Sequence, residues 1–198
     1  MKQTSGLLQK IYRFFSVKVI VISVIVFVLF MVFVLPAASD YAQSISGSSD
    51  SPDTSLIYSA DDLYEMAQSF GPQGRRSYII MRFTFDLVWP IVYLAFMLAV
   101  LVGLLRSFND DKKIKKLVYL PIIGTLLDFL ENIFAAITIG RFPLRTPIIA
   151  ELTPIFTISK WAVLGLSFVL IIALVFYHLY RLISKKIRSS SSQKTHRD

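Results

Sequence analysis

The stretch LPIIGTLLDFLENIFAAITIG, residues 120–140, decides how the rest of the chain is interpreted. It is long and apolar enough to cross a bilayer, which takes about 20 residues of helix. Near its middle it carries Asp128, Glu131 and Asn132. Ionisable side chains at membrane depth are costly, so they usually face the inside of a bundle, pair there and mark functional sites. The sequence therefore predicts a membrane helix whose polar turn faces neighbouring helices.

The composition supports a membrane protein. The chain has 198 residues, 55% of them hydrophobic, and a mean hydropathy of +0.61. Its apolar residues form four long blocks that are apolar nearly all round, whereas helices of a soluble bundle carry only an apolar stripe. We therefore predict an all-α fold: a polytopic membrane protein with a four-transmembrane-helix bundle and a short extracellular amphipathic helix.

The blocks and the polar stretches between them predict the segments. The first block resembles a signal peptide, but its apolar core exceeds the usual length of about 7–15 residues, so a retained anchor is expected. The arm before it is either an interfacial helix or a basic flank that orients the first span. The segments are a cytoplasmic basic N-terminal arm (1–17), TM1 (18–38), an external loop (39–80) with a flexible linker over 39–56 and a helix over 60–70, TM2 (81–105), a cytoplasmic basic loop (106–117), TM3 (118–140), a second external loop (141–157), TM4 (158–182) and a disordered basic tail (183–198).

Local signals predict the short helix over 60–70. Ser59 and Asp62 have the spacing of a capping box, and Gly71 suits a helix end. The apolar residues that follow Ser59 recur at the spacing of one helical face. They are Leu63, Met66, Ala67 and Phe70.

Basic residues indicate the orientation. Lysines and arginines concentrate in the N-terminal arm, in the loop over 106–117 and in the tail, whereas the other two loops carry only Arg75 and Arg76, then Arg141 and Arg145. We expect the protein to lie in the plasma membrane. The positive-inside rule then places both of its termini in the cytoplasm. The basic tail is expected to contact anionic lipids on the cytoplasmic side. This explains the net charge of +8 without nucleic acid as a partner.

Composition also excludes several kinds of site. The chain has no cysteine, which excludes disulfides and thiolate chemistry, and only two histidines, which excludes a multi-histidine zinc site. No nucleophile with an adjacent base and no glycine-rich phosphate loop is present. We therefore expect no metal, no cofactor and no catalytic residues, although an enzyme is not excluded.

Polar residues on the other spans are candidates to pair with the turn at Asp128. Arg82 and Asp86 are four residues apart, so they can form an ion pair on one helical face. Pro90 should kink TM2 and free a carbonyl that needs a partner from a neighbouring helix. Lys160 begins a face of TM4 at heptad spacing, and its stem can reach inward or snorkel outward. The predicted polar intramembrane cluster consists of Arg82, Asp86, Tyr93, Asp128, Glu131, Asn132 and Lys160.

Each of these residues also has an ordinary explanation. Arg82 and Lys160 are typical of the membrane interface, and Asp86 can simply pair with Arg82. Tyr93 beside Pro90 can be packing alone. Three carboxyl groups outnumber two cations, so one carboxyl, Asp128 being the deepest, is expected to be protonated or paired with Tyr93 or Asn132.

Three motifs resemble those of small uncharacterised prokaryotic four-helix membrane proteins. They are the GxxGRxxY pattern that ends at Tyr78, the DxxxPxxY pattern over 86–93, and the DxxEN pattern over 128–132. The resemblance covers about residues 59–165 and implies the four-helix architecture and the choice of polar residues. It implies no activity, because the group has none to carry over.

Three function hypotheses follow. The first is a non-enzymatic interaction or assembly module that binds another membrane protein, a lipid or its own copies, with the buried charged cluster setting packing. The second is ion or proton handling by Asp86, Asp128, Glu131 and Lys160. The third is an intramembrane enzyme acting on lipid, with Asp128 and Glu131 as acid and base or as ligands of Mg²⁺ or Ca²⁺. We favour the first, because catalytic signatures are missing.

Overall fold

The computed structural model describes residues 6–46, 55–108 and 111–194. All regular secondary structure in these ranges is helical, which confirms the predicted all-α fold. Four helices are long and apolar enough to cross a membrane, as predicted, and they indicate a multi-pass membrane protein. They are Val17–Ser44, Gly71–Leu105, Lys113–Arg141 and Pro147–Lys186.

The helices are numbered in chain order. A π-helical turn, Phe30–Val34, joins α2 to α3, and a 3-10 turn, Lys116–Val118, joins α7 to α8. The α-helices are α1 (Gly6–Phe14), α2 (Val17–Leu29), α3 (Leu35–Ser46), α4 (Ala60–Ser69), α5 (Gly71–Arg82), α6 (Phe85–Leu105), α7 (Lys112–Lys115), α8 (Tyr119–Arg141) and α9 (Pro147–Lys194).

Helix α8 is the centre of the bundle. It packs along α9 and also contacts α4, α5 and α6, whereas α2 packs against α6 and α3 packs against α5. No residue of α2 is buried. This helix has few small residues that would allow close approach to a partner, so it stays at the edge of the bundle. The helix that carries the polar turn therefore has the most extensive contacts with the rest of the bundle.

The contact between α8 and α9 has a heptad pattern. Buried residues of α9 alternate at spacings of four and three, which is the spacing that keeps one seam against a partner helix. On α8, Gly124 allows close approach, because a Cβ there would lie 2.6 Å from Cδ2 of Leu164. The predicted face that begins at Lys160 is thus the packing face. Its buried residues, extended toward the start of the helix, are Thr146, Ala150, Thr153, Thr157, Lys160, Leu164, Ser167, Ile171 and Leu174.

A helical cap covers one end of the bundle, called here the α4 end. The capping box predicted at Ser59 and Asp62 is present and begins α4. Leu63 and Ala67 are buried together with Ile139 of α8. Gly71 has φ +62, a left-handed conformation that favours glycine, and it turns the chain from α4 into α5. The cap therefore lies directly over the place where α8 ends and α9 begins.

A second short helix packs at the opposite end, called here the α1 end. Leu8 and Phe15 are buried against the core formed by α6 and α9. Arg106 donates hydrogen bonds to the backbone carbonyl groups of Tyr12 and Phe15, where α1 ends. Residues of the N-terminal arm thus form a helix that is docked on the bundle.

Two predicted loops are partly helical. The linker predicted over 39–56 is helical to Ser46, because α3 packs against α5; residues 47–54 lie outside the described residues. The second loop, predicted over 141–157, ends at Pro147, where α9 begins. Proline suits the first turn of a helix, and α9 continues through Pro154 as well. Composition alone did not reveal these contacts.

The ends of two spans also differ from prediction. TM2, predicted to begin at residue 81, is preceded by α5 and broken at Phe83 and Thr84, where the hydroxyl of Thr84 donates to the carbonyl of Ile80. The tail, predicted to be disordered over 183–198, continues α9 to Lys194, since adding a residue to an existing helix is far easier than starting one. Its residues 195–198 lie outside the described ranges.

Candidate functional site: a buried ionic network

Four helices contribute polar side chains to two adjoining groups inside the bundle, one around Lys160 and one around Arg82. The two groups meet at the consecutive residues Glu131 and Asn132 of α8, and we call them together the ionic network. Its members come from α5, α6, α8 and α9, and hydrogen bonds or ion pairs join the members of each group. The structure brings together all residues of the predicted cluster: Arg82, Asp86, Tyr93, Asp128, Glu131, Asn132 and Lys160.

Lys160 connects α9 to α8. Its Nζ lies 2.9 Å from Oδ1 of Asp128 and also contacts the carboxylate of Glu131. Asp128 and Glu131 are one turn apart on α8, so both face the same partner helix. The hydroxyl of Tyr93 on α6 donates to Oδ2 of Asp128 at 2.7 Å. Asp128 therefore links α6, α8 and α9.

Arg82 forms the second half of the network. Its Nη1 lies 3.2 Å from Oδ2 of Asp86, which is the predicted ion pair across four residues. The same nitrogen donates to Oδ1 of Asn132 on α8 at 2.8 Å. The guanidinium lies over the ring of Tyr78, with its central carbon 4.5 Å from the ring centroid, so the aromatic ring covers one face of the guanidinium.

Asn132 also repairs the backbone beside Pro90. Proline has no N–H group, so the carbonyl of Asp86, four residues earlier, loses its partner in the helix. The Nδ2 of Asn132 donates to that carbonyl at 3.3 Å. Helix α8 thus supplies the hydrogen-bond donor that was expected for the carbonyl freed by Pro90. Asn132 accepts a hydrogen bond from Arg82 with one end of its amide and donates to Asp86 with the other.

The ionic network is shielded from the surroundings of the bundle. Glu131 is 1% exposed, Arg82 is 3% exposed and Lys160 is 6% exposed. The Asp86 side chain, at 16%, is more accessible. Burial in a medium of low dielectric strengthens both the attraction between paired charges and the penalty for an unpaired one. The arrangement can hold helices in register.

The structure decides between the alternatives for the two cations. Lys160 points into the bundle and does not snorkel, because two carboxylates on α8 lie within its reach. Arg82 is buried beneath Tyr78 and does not mark an interface. His178, which shares the α9 face, lies at the α1 end and contacts Ser107, away from the ionic network.

Several polar residues were missed in the sequence. The hydroxyl groups of Tyr58 and Thr157 lie 2.7 Å apart in a buried hydrogen bond, one turn from Lys160. Thr153 is also buried and donates to the carbonyl of Ile149. The heptad pattern of α9 was the available signal, because continuing it from Lys160 toward the start of the helix reaches both threonines.

Two surface grooves lie apart from the ionic network. One runs along α4 beside Asp62, Glu65 and Met66. The other lies between α5 and the end of α8, beside Arg76 and Gly140. Within the described ranges, no three side chains among histidine, aspartate and glutamate come together as metal ligands would.

Comparison of the chain with protein families, with curated proteins and with solved structures finds no match in any of the three. The resemblance of its three motifs to prokaryotic four-helix membrane proteins therefore assigns no family.

Proposed function

We propose that this chain is an integral membrane protein that serves as a non-enzymatic interaction and assembly module. The observation that carries the proposal is the internal pairing of the ionic network. Lys160 is bound to Asp128 and Glu131, and Arg82 is bound to Asp86. Buried groups that bind one another stabilise the packing of the helices and are not presented to a substrate.

The network favours one arrangement of the helices over others. A buried charge that loses its partner is strongly destabilising, so sliding or rotating α9 against α8 would carry a large penalty. A purely apolar seam would tolerate such shifts, because lipid tails are as apolar as the helix faces. The proposed role of the ionic network is therefore to define a single bundle whose outer surface is constant.

The outer surface is what the module would offer to partners. The first span has no buried residue in α2, and the lipid-facing side of α9 carries exposed apolar residues such as Ile158, Trp161 and Phe168. We propose that another membrane protein, or a second copy of this chain, binds along these faces. The proposed location is the plasma membrane, with both termini in the cytoplasm and the α4 end outside, as the distribution of basic residues suggests.

A second candidate is ion or proton handling. The observation that favours it is the charge of the ionic network, in which the three carboxyl groups of Asp86, Asp128 and Glu131 lie beside the two cations Arg82 and Lys160. Full ionisation would leave one excess negative charge in a buried place, and taking up a proton removes it. The third hypothesis, an enzyme acting on lipid, is not proposed, because Asp128 and Glu131 are occupied by Lys160.

The test compares two variants of the ionic network. Lys160→Met leaves two carboxylates without their cation, so we expect a loss of about 3–5 kcal/mol in the free energy of unfolding. The triple variant Asp128→Asn, Glu131→Gln and Lys160→Met carries neutral groups of similar size. It should recover most of that stability, as measured by unfolding in detergent and by the oligomeric state in bilayers.

The control is Lys116→Met, the same change at an exposed position outside the network. It should leave stability and assembly unchanged. Proton flux into proteoliposomes separates the two candidates. If the wild type transports protons and the folded triple variant does not, the module proposal is overturned and the second candidate is supported. Assembly that persists in the triple variant without any flux in the wild type supports the module.

A further inference from the structure

The groove between α5 and the end of α8 has the features of a lipid site. It lies at the α4 end, and two arginines stand above its apolar part. Arg75 and Arg76 line it together with Ile79 and Ile80, one helical turn further along α5. At 1.5 Å per residue, the isoleucines lie about 6 Å closer to the middle of the bundle. Positive charge followed by apolar surface is the order in which a phospholipid presents its phosphate and its acyl chain.

Arg75 is held in position before any ligand arrives. Its Nη1 donates to the carbonyl of Ala67 at 2.9 Å, and its guanidinium lies over the ring of Phe142, 5.1 Å from the centroid. This hydrogen bond uses one of the five N–H groups of a guanidinium. A planar fork that is already fixed loses little entropy on binding a phosphate with two hydrogen bonds.

The positive charge of the groove is not neutralised within the described ranges. No ion pair there involves Arg75 or Arg76, whereas Arg145 nearby in the cap pairs with Asp61 at 3.3 Å. Arg76 is exposed. Two arginines without carboxylate partners beside an apolar surface are complementary to an anionic amphiphile. This contrast distinguishes the two arginines of the groove from Arg145.

Glycine at position 140 keeps the apolar part of the groove open. A Cβ at Gly140 would lie 2.9 Å from Cδ1 of Ile79, so a larger residue would push that side chain into the groove. Ile80 is 52% exposed, and Leu144, in the turn that follows Phe142, is 64% exposed. An acyl chain that lies against these side chains would cover apolar surface that the chain itself leaves open.

We propose that this groove binds one phospholipid of the surrounding membrane, with its phosphate on Arg75 and Arg76 and an acyl chain against Ile79, Ile80 and Gly140. The inference goes beyond the proposed function, because it adds a lipid to the protein partners proposed for the interaction module. It does not depend on the ionic network, because none of the groove residues belongs to that network.

The test measures how tightly the purified full chain retains palmitoyl-oleoyl phosphatidylglycerol in detergent, by native mass spectrometry. For the double variant Arg75→Gln and Arg76→Gln we expect roughly thirtyfold weaker binding, because two positive charges that attract the anionic headgroup are removed. Arg75 also holds the turn after α4, so Arg76→Gln alone is a second variant, with roughly fivefold weaker binding expected. Inorganic phosphate, added in excess, should not displace the lipid, because it lacks the acyl chain.

Two further variants locate the site. Arg145→Gln is the charge-matched control and should retain lipid like the wild type. Gly140→Val keeps every charge but fills the apolar part, so it should weaken lipid binding while thermal stability is retained. Equal lipid retention in the Arg76→Gln and Arg145→Gln variants would overturn the lipid site, as would unchanged retention in a folded Gly140→Val variant. Neither result bears on the module, which the Lys160 variants test separately.

Discussion

At the scale of single residues, Asn132 makes two different hydrogen bonds, one as acceptor and one as donor. Its amide satisfies the carbonyl that Pro90 leaves unpaired and also binds Arg82. An aspartate at this position could accept from Arg82 but could not donate to a carbonyl. The amide type is therefore required by a proline on a different helix. This explains why the acidic turn of α8 ends with a neutral polar residue.

Gly124 marks a close approach of α8 to α9. Gly124→Ala would place a Cβ 2.6 Å from Cδ2 and 2.8 Å from Cγ of Leu164, so the helices must separate. We expect a loss of about 1–3 kcal/mol in the free energy of unfolding, measured by reversible unfolding in micelles.

Gly165→Ala is the matched control for this prediction, because nothing lies within 4 Å of its Cβ position. It should leave stability nearly unchanged. Adding Leu164→Ala to Gly124→Ala should recover part of the loss, since the overlapping side chain is removed. Equal stability of the two glycine variants would show that the close approach at Gly124 does not limit packing.

At the scale of elements, α4 depends on local chemistry at its first turn. The backbone N–H of Ser59 donates to Oδ2 of Asp62 at 2.7 Å, and the Ser59 hydroxyl donates to the same oxygen. These hydrogen bonds, the backbone one first, lower the pKa of the Asp62 carboxyl from its usual 3.8. The carboxylate is therefore bound more strongly in the folded helix than in the unfolded chain.

The sign of the pH effect follows from that lowered pKa. The Asp62 carboxylate stabilises α4 above its unfolded pKa, and this stabilisation is lost as the pH falls through the folded pKa. We expect amide hydrogen exchange in α4, corrected for its intrinsic pH dependence, to show weaker protection as the pH is lowered from about 6 to about 3.

Asp62→Asn should remove this part of the pH dependence, whereas Asp61→Asn, which leaves the capping box intact, should retain it. An Asp62→Asn protein with the same pH profile as the wild type would contradict the assignment. Such a result would mean that other groups govern the acid sensitivity of the cap.

At the scale of the whole molecule, the bundle has two different ends. Helix α9 is about 70 Å long at 1.5 Å per residue, more than twice the hydrocarbon core of about 30 Å, so it is longer than a membrane crossing requires. The α4 end is closed by a helix that packs over α8 and α9. The α1 end is held by Arg106 and is surrounded by basic residues. This asymmetry makes orientation a testable property.

The orientation can be measured with single cysteines, because the chain has none of its own. Ser69→Cys marks the α4 end and Lys113→Cys marks the α1 end. If both termini are cytoplasmic, a membrane-impermeant maleimide should label Ser69→Cys in intact cells and should label Lys113→Cys only after permeabilisation. The reverse pattern would refute the proposed orientation, and labelling of both positions in intact cells would refute the four-span arrangement.

Local sequence patterns predict part of this structure correctly. They give the number of apolar spans, the Arg82–Asp86 pair, the capping box at Ser59 and the heptad face of α9. Each depends on residues that are close along the chain or on the length of a helix relative to a bilayer. These features can be derived from spacing and hydropathy alone.

Contacts between helices determine that Lys160 turns inward, that Tyr93 binds Asp128, and that α9 begins at Pro147 instead of after a proline-containing loop. The break of TM2 at Thr84 likewise appears only in the folded chain. Each of these outcomes depends on a neighbour far away in sequence. A long side chain such as that of lysine has several directions available to it, and the carboxylates supplied by another helix select one of them.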